Sequence, residues 1–463
     1  MNANVVDAIA DFPLYADPLD LLPYGRDCSV VPPGRALLAA QPHCVEDVVA
    51  LLARAAREHL PVYVRGGGTM YAGGVNPHAG GLVVDVSRMT RVLELDLARG
   101  VVVVEPGIRF ADLSARLAPH GQTVGIVPST GPAATVGGAL SSHALGTGST
   151  RHQSMGDCVA GLEVVLADGT RLRTGSAACR DAGFFQRYCV GPDLTGLFIG
   201  ADGVFGVVTA IALWLHPLPA ARETFVLGFP DAATAADFVV TAQAREYLRN
   251  TAYAACYEGG SVRARVAAAR PAYDLATLPG FCIGFDTGGE ADELARDRAR
   301  LATLAAAHGG AEFALLDEIY FRTLRYDENY WYTYAGYFSR SRCAILMTSL
   351  PSARLADFCA AVDKQRTRFP QFAWASAAVL CRRGLHGGIL AFYDERTQWD
   401  AMREAIAAAA PDLRAAGCVP YKSGKLFADE VRATGAYHDV LGRLKAALDP
   451  EGRMAPGNLG LGG

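Results

Sequence analysis

The run Pro61-Val-Tyr-Val-Arg-Gly-Gly-Gly-Thr-Met-Tyr-Ala-Gly-Gly74 starts as a short apolar strand, Val62–Val64, and then gives up most of its side chains. Six glycines fall between Gly66 and Gly80. Residues without a Cβ adopt positive φ at little steric cost and let successive backbone N–H groups turn toward one ligand. A concave array of such donors suits a pyrophosphate. A glycine-rich turn between strands is the other reading of one loop of this kind.

Two further segments bear on that choice. Pro128-Ser-Thr-Gly-Pro-Ala-Ala-Thr-Val-Gly-Gly-Ala-Leu-Ser-Ser-His-Ala-Leu-Gly-Thr-Gly148 combines small residues and hydroxyls, so that a planar ring or a phosphate could lie against its backbone. Asp193-Leu-Thr-Gly-Leu-Phe-Ile-Gly-Ala-Asp-Gly-Val-Phe-Gly-Val-Val-Thr209 again brings glycines to a strand edge. No strand-GxGxxG-helix unit with an acid about 20 residues on is present, which argues against a Rossmann dinucleotide site. A GxxxxGK[ST] phosphate loop is also missing from the sequence.

The 463 residues exceed what one core usually serves, so two domains are expected. Hydrophobic residues make up 51% and charged residues 19%, the balance of a folded soluble protein. The net charge is -4 and no lysine- or arginine-dense block occurs, which makes nucleic acid a poor partner. Nowhere do 18 apolar residues run together, so no membrane span is expected. Met1–Leu22 is acidic and lacks the pattern of a secretory signal. Eleven cysteines without CxxC spacing point to free thiols in a reducing compartment, the cytoplasm.

Periodicity predicts an amphipathic helix over Val45–His59, short strands at Leu82–Val86, Val92–Leu95 and Val101–Val104, and a helix at Phe110–Leu117. Asp168-Gly169 between apolar runs predicts a hairpin. From Pro217 onward, strand-like runs such as Thr224–Phe229, Ser376–Leu380 and Gly388–Tyr393 alternate with alanine-rich helices, an α+β pattern. A helical tail from about Gly417 ends in Asp449-Pro-Glu-Gly-Arg-Met-Ala-Pro-Gly-Asn458.

On these motifs the chain resembles the vanillyl-alcohol-oxidase, or p-cresol-methylhydroxylase, flavoprotein family, with glycolate-oxidase-like features in Asp193–Leu215. Val64–Gly74 looks like its pyrophosphate loop, Pro128–Asp157 like the segment lining the flavin, and Asp449–Asn458 like its closing signature. The resemblance implies an α+β protein with a two-part FAD-binding domain of the p-cresol-methylhydroxylase type, residues 1–218 and 416–463. A substrate-binding cap, 219–415, would lie between those parts. It implies FAD held by Arg65, Gly66, Gly67, Gly68, Thr69, Met70, Tyr71, Pro128, Ser129, Thr130, Thr135, Gly137, Gly138, Ser141, Ser142, His143, Gly203, Gly206, Val207, Val208 and Asn458. Members that bond flavin covalently carry a histidine in the loop or a cysteine before the second glycine run. Gly68-Thr69 and Ala133-Ala134 stand there, so the expected FAD is non-covalent.

The implied activity is hydride transfer from a C–OH or benzylic carbon of a small organic substrate to flavin N5, with dioxygen or another acceptor taking the electrons. The alternatives are a 2-hydroxy-acid dehydrogenase, a flavin subunit passing electrons to a protein partner, and a scaffold using FAD structurally. Phenol-oxidising members pair a loop tyrosine with a C-terminal Tyr-Arg; here Tyr71 and Tyr421-Lys422 stand at those places, and lysine supplies a point charge without the fork. Ser129 replaces the acid those enzymes place after the proline.

His386 is a candidate general base, because an imidazole titrates near neutrality. Arg382 and Arg383 could clamp a carboxylate, although one must point away if the segment is extended. His386 has no ligand partners at suitable spacing, so no metal is expected. Eight aromatic residues in the eighteen of Phe321–Phe338 suit a pocket wall, a core or a homodimer interface, with Tyr330, Tyr332 and Tyr334 on one face of an extended strand and Trp331 on the other.

Overall fold

Four consecutive valines, Val101–Val104, are all buried, which only a strand covered on both faces allows. In the computed structural model, which describes residues 12–258, 263, 272–314 and 341–462, they sit inside the second of three sheets. The first sheet has the order β1 (Leu14–Tyr15), β2 (Leu38–Ala40), β4 (Leu82–Asp85) and β3 (Val62–Arg65). The β2–β4 and β3–β4 pairs are parallel. A parallel pair needs a crossover, and the helix Val45–Arg57 supplies it, burying Val48, Leu51, Leu52 and Ala55 along one stripe. The glycine loop leaves the end of β3.

The second sheet is antiparallel: β5 (Val92–Asp96), β6 (Val101–Val104), β10 (Val207–Pro217), β8 (Val159–Val165) and β9 (Arg171–Arg173), with β7 (Gln122–Val124) paired to the far end of β10. The hairpin at Asp168-Gly169 joins β8 and β9, with the Gly169 N–H donating to Leu166.

The third sheet has eight antiparallel strands in the order β14 (Ala311–Glu312), β11 (Ala221–Phe229), β13 (Phe281–Gly289), β12 (Thr251–Glu258), β16 (Ala373–Leu380), β17 (Leu385–Asp394), β15 (Ser341–Leu350) and β18 (Val419–Pro420). Alternation along β11 sends Phe225, Leu227 and Phe229 into a core with the helices Ala232–Ala244, Leu355–Arg368 and Glu395–Ala415, while Val226 joins a smaller cluster on the opposite face. Fully burying one such phenylalanine is worth about 2 kcal/mol. Along β17, Leu385, Ile389, Ala391 and Tyr393 join the helical core, so His386 falls on the other face.

After β18 the chain crosses back. Lys425 and Leu426 donate backbone N–H groups to Ala72 of the glycine loop, and a Cβ on Gly424 would lie 2.3 Å from that same carbonyl. The helix Ala436–Leu448 follows, and Met454 then pairs beside Val62 of β3. Both ends of the described chain thus build the glycine-loop sheet. No helix among the described residues is long and apolar enough to cross a membrane. The aromatic run Phe321–Phe338, with Tyr330, Trp331, Tyr332 and Tyr334, lies outside the described residues.

Candidate active site

A cleft of about 1060 Å³, counting the space at its open mouth, runs between the glycine loop and the second glycine segment. Close approach of the two segments makes it. A Cβ on Gly66 would stand 2.2 Å from Thr135 Oγ1, and one on Gly67 2.2 Å from the Ala133 carbonyl. Thr135 caps the helix Val136–Ser141 by accepting from the Gly138 N–H at 3.2 Å. Among the described residues, the backbone N–H groups of Gly67, Gly68 and Thr69 find no acceptor within the protein. Unpaired donors on a loop that only glycine can form fit a pyrophosphate.

The lining contains Gly66, Gly67, Gly68, Thr69, Met70, Tyr71, Pro128, Ser129, Thr130, Thr135, Gly137, Gly138, Ser141, Ser142, Gly203, Gly206, Val208 and Lys422 of the expected residues. Others stand behind the wall. Arg65 passes beneath Gly68 and donates from Nη1 to the Arg26 carbonyl at 2.9 Å. Val207 points away from Val208 into the core of the first sheet, as strand alternation requires. Asn458 braces the loop: its amide donates to Gly74 O at 2.8 Å and Asp202 O at 2.7 Å, and accepts from Lys425 Nζ at 2.5 Å.

His143 also lies behind the lining, between Ser142 and Ala144. Its Nε2 is 2.6 Å from Ser154 Oγ, and its carbonyl accepts the Tyr421 hydroxyl. Tyr421 is flanked by two imidazoles, with ring centroids 4.0 Å from His386 and 5.6 Å from His143. Burial pushes its phenol well above the usual value.

His386 hydrogen-bonds Ser349 Oγ through Nδ1 at 2.7 Å. Burial, then the neighbouring His143 and Lys422, push it down to about 4. The expected titration near neutrality is therefore not what this environment gives; the ring is neutral at pH 7 and a weak base. Arg382 and Arg383 lie exposed in the turn between β16 and β17, and Arg382 pairs with Glu246 at 3.6 Å. Neither is among the residues that line the cleft. No cluster of metal-ligating side chains occurs among the described residues.

Lys422 and Asp202 are the one cation and the one anion among the described residues that line the cleft. Burial lowers Lys422 to about 8 against the pull of Asp202, and raises Asp202 to about 7 against the Gly424 N–H and Lys425. Behind them, buried Asp27 accepts from Gly73 N at 2.8 Å, and Lys425 Nζ donates to Gly73 O at 3.2 Å. Burial pushes Asp27 up and Lys425 down to about 8. Sequence reading passed over Asp202, Asp27 and Lys425. Asp202 did carry a signal, an acid inside the glycine-rich run Gly200-Ala-Asp-Gly203, whereas nothing local marks Asp27.

Residues 36–175 match the family described as "FAD binding domain". This part of the chain is an FAD-binding domain. The FAD-binding domain's glycine loop and second glycine segment are the two walls of the cleft. The fold is similar to that of solved p-cresol-methylhydroxylase-type flavoproteins. A 4-ethylphenol oxidase from Gulosibacter chungangensis, in complex with isoeugenol, superposes with a TM-score of 0.81 at 20% identity, covering 97% of this chain and 94% of that one. p-Cresol methylhydroxylase with substrate bound gives 0.81 at 17% identity over the same shares.

Among curated proteins, an uncharacterized FAD-linked oxidoreductase of Mycobacterium tuberculosis is 36% identical over 186 residues, 40% of this chain and 39% of its own length. A glycolate oxidase subunit of Bacillus subtilis is 31% identical over 198 residues, 43% and 41% of the two lengths. The chain thus spans about two fifths of the length of these relatives.

Proposed function

We propose that this chain is an FAD-dependent oxidoreductase that removes a hydride from a C–OH or benzylic carbon of a small organic substrate whose oxygen is held beside Lys422. The observation that carries this reading is the position of Lys422. It lines a glycine-walled cleft, and among the described residues no ion pair or hydrogen bond ties it down. A cation left unpaired in a largely desolvated site interacts strongly with charge that stands or develops on a ligand oxygen. Its lowered value near 8 keeps it mostly charged at pH 7. Tyr71 presents a phenol to the same cleft, and Tyr421, the residue before Lys422, packs on His386 with ring centroids 4.0 Å apart.

FAD, when bound, supplies the hydride acceptor. Gly66–Met70 and Thr135–Ser142 would hold it through backbone donors and hydroxyls. The electrons then pass to dioxygen or another acceptor; fast reoxidation of dithionite-reduced protein in air would favour an oxidase over a subunit serving a protein partner. Ten free cysteines besides Cys28 support a reducing, cytoplasmic setting.

The test is Lys422→Met. The variant should keep its flavin, seen by absorbance, and slow anaerobic flavin reduction about 10²-fold or more with phenols, benzylic alcohols and 2-hydroxy acids that reduce the wild type. Unchanged reduction kinetics would sink the reading.

A further inference from the structure

One polar line adjoining the cleft has no part in the mechanism above: Asp157, Ser154 and His143. Ser154 is buried at 4% exposure, and Asp157 lies at the surface. Asp157 Oδ2 accepts from the Ser154 hydroxyl at 2.5 Å and from its backbone N–H at 3.1 Å. A hydroxyl has one proton to give. With that proton committed to the carboxylate, Ser154 Oγ can only accept from His143 Nε2 at 2.6 Å, so His143 carries its proton on Nε2 and leaves Nδ1 bare.

The ring sits in a slot cleared for it. A Cβ on Gly156 would lie 3.1 Å from His143 Nε2, and one on Gly200 3.5 Å from its Nδ1. His143 itself has φ +52°, the left-handed region that costs an ordinary residue free energy. Something must hold it there, and the ring is anchored at its far end by Ser154. The carbonyl of this same residue accepts the Tyr421 hydroxyl, and Lys422 is the next residue along.

We propose that His143 is a positioning residue for the reacting end of the cleft. Asp157 and Ser154 fix its ring and tautomer, the ring holds the left-handed backbone, and the backbone carbonyl holds Tyr421 and, through it, Lys422. The functional half of this inference rests on the reading of Lys422 above; the structural half does not. It differs from an imidazole acting in the chemistry, because what His143 contributes to Tyr421 is a main-chain oxygen in a conformation few residues adopt. Asparagine tolerates the left-handed region and valine does not.

The experiment uses the full chain loaded with FAD and labelled with ¹⁵N-histidine and ¹³Cζ-tyrosine, the Tyr421 signal being assigned by Tyr421→Phe. His143 should show a protonated Nε2 and a bare Nδ1. The Tyr421 signal should stay in place in His143→Asn and move in His143→Val and Ser154→Ala, while Ser154→Thr, which keeps the hydroxyl, restores it. Benzoate binding, read by calorimetry as a probe of the Lys422 end, should weaken roughly tenfold in the two variants that move Tyr421, the cost of about one hydrogen bond. A Tyr421 signal indifferent to His143→Val and Ser154→Ala overturns the proposal, as does one that moves equally in His143→Asn and His143→Val. Should wild type ignore benzoate and Lys422→Met leave flavin reduction unchanged, the reading of Lys422 fails; the tyrosine and histidine signals still decide the positioning role.

Discussion

Gly67 and Lys422 carry most of what single residues decide here. Gly67 has ordinary φ, so its need is space alone: the Ala133 carbonyl occupies the place of a side chain. Gly67→Ala must push the loop off the second glycine segment, and FAD affinity should fall at least about tenfold, the cost of roughly one misplaced hydrogen bond; fluorescence titration of apoprotein with FAD measures it. Lys422 makes a pH prediction. Its ammonium titrates near 8, so benzoate, ionised throughout, should bind progressively more weakly between pH 7 and 9. Lys422→Met should bind weakly and without that dependence. A wild-type profile flat over this range would show that the cation is not what the anion meets.

At the scale of elements, the short helix Ser149–His152 ties the flavin-side segment to the third sheet. Gly148 N donates to Ala252 O at 2.7 Å, and Thr150 Oγ1 accepts from Ala254 N at 2.8 Å. His152 at its end packs on His216 near the end of β10, with ring centroids 4.1 Å apart. Burial, then His216 and Arg151, hold His152 down to about 3; burial and Arg151 also lower His216. Both are neutral in the fold, whereas the unfolded chain takes up protons below about 6.5. Stability contributed by His152 is therefore complete above the unfolded value and is lost as pH falls from 6.5 toward 3, and His216 adds to the loss in the same direction. The His152→Phe variant should flatten that part of the pH dependence in urea titrations. An equally steep profile in the variant would place the acid sensitivity elsewhere.

At the scale of the whole molecule, the C-terminal return holds the cleft together. Lys445 and Asp449 are buried, at 5% and 1% exposure, and pair at 2.6 Å. Lys445 also donates to Val204 O at 2.8 Å and Met454 O at 2.5 Å, tying the last helix to the chain entering β10 and to the residues beside β3. Removing one partner strands the other charge in the interior. Lys445→Met should cost about 3–5 kcal/mol in urea unfolding and release FAD at lower denaturant than wild type.

Local chemistry was legible from residues alone. Val101–Val104 marked a strand, Asp168-Gly169 marked a hairpin, and glycines at 66–68 and 137–138 marked where backbone would face a ligand. These signals are short-range, set by sterics and by the period of side chains along a strand or helix. Pairing across the chain was not legible, because nothing near Asp202 announces that Gly424 and Lys425 will lie against it, 222 and 223 residues further on. Burial follows from such meetings, and burial is what lowers Lys422, raises Asp202 and silences His386 as a base. The glycine loop could be read from its own residues as a cradle for a pyrophosphate; which side chains face it, and with what charge, was settled only when the two ends of the chain closed around it.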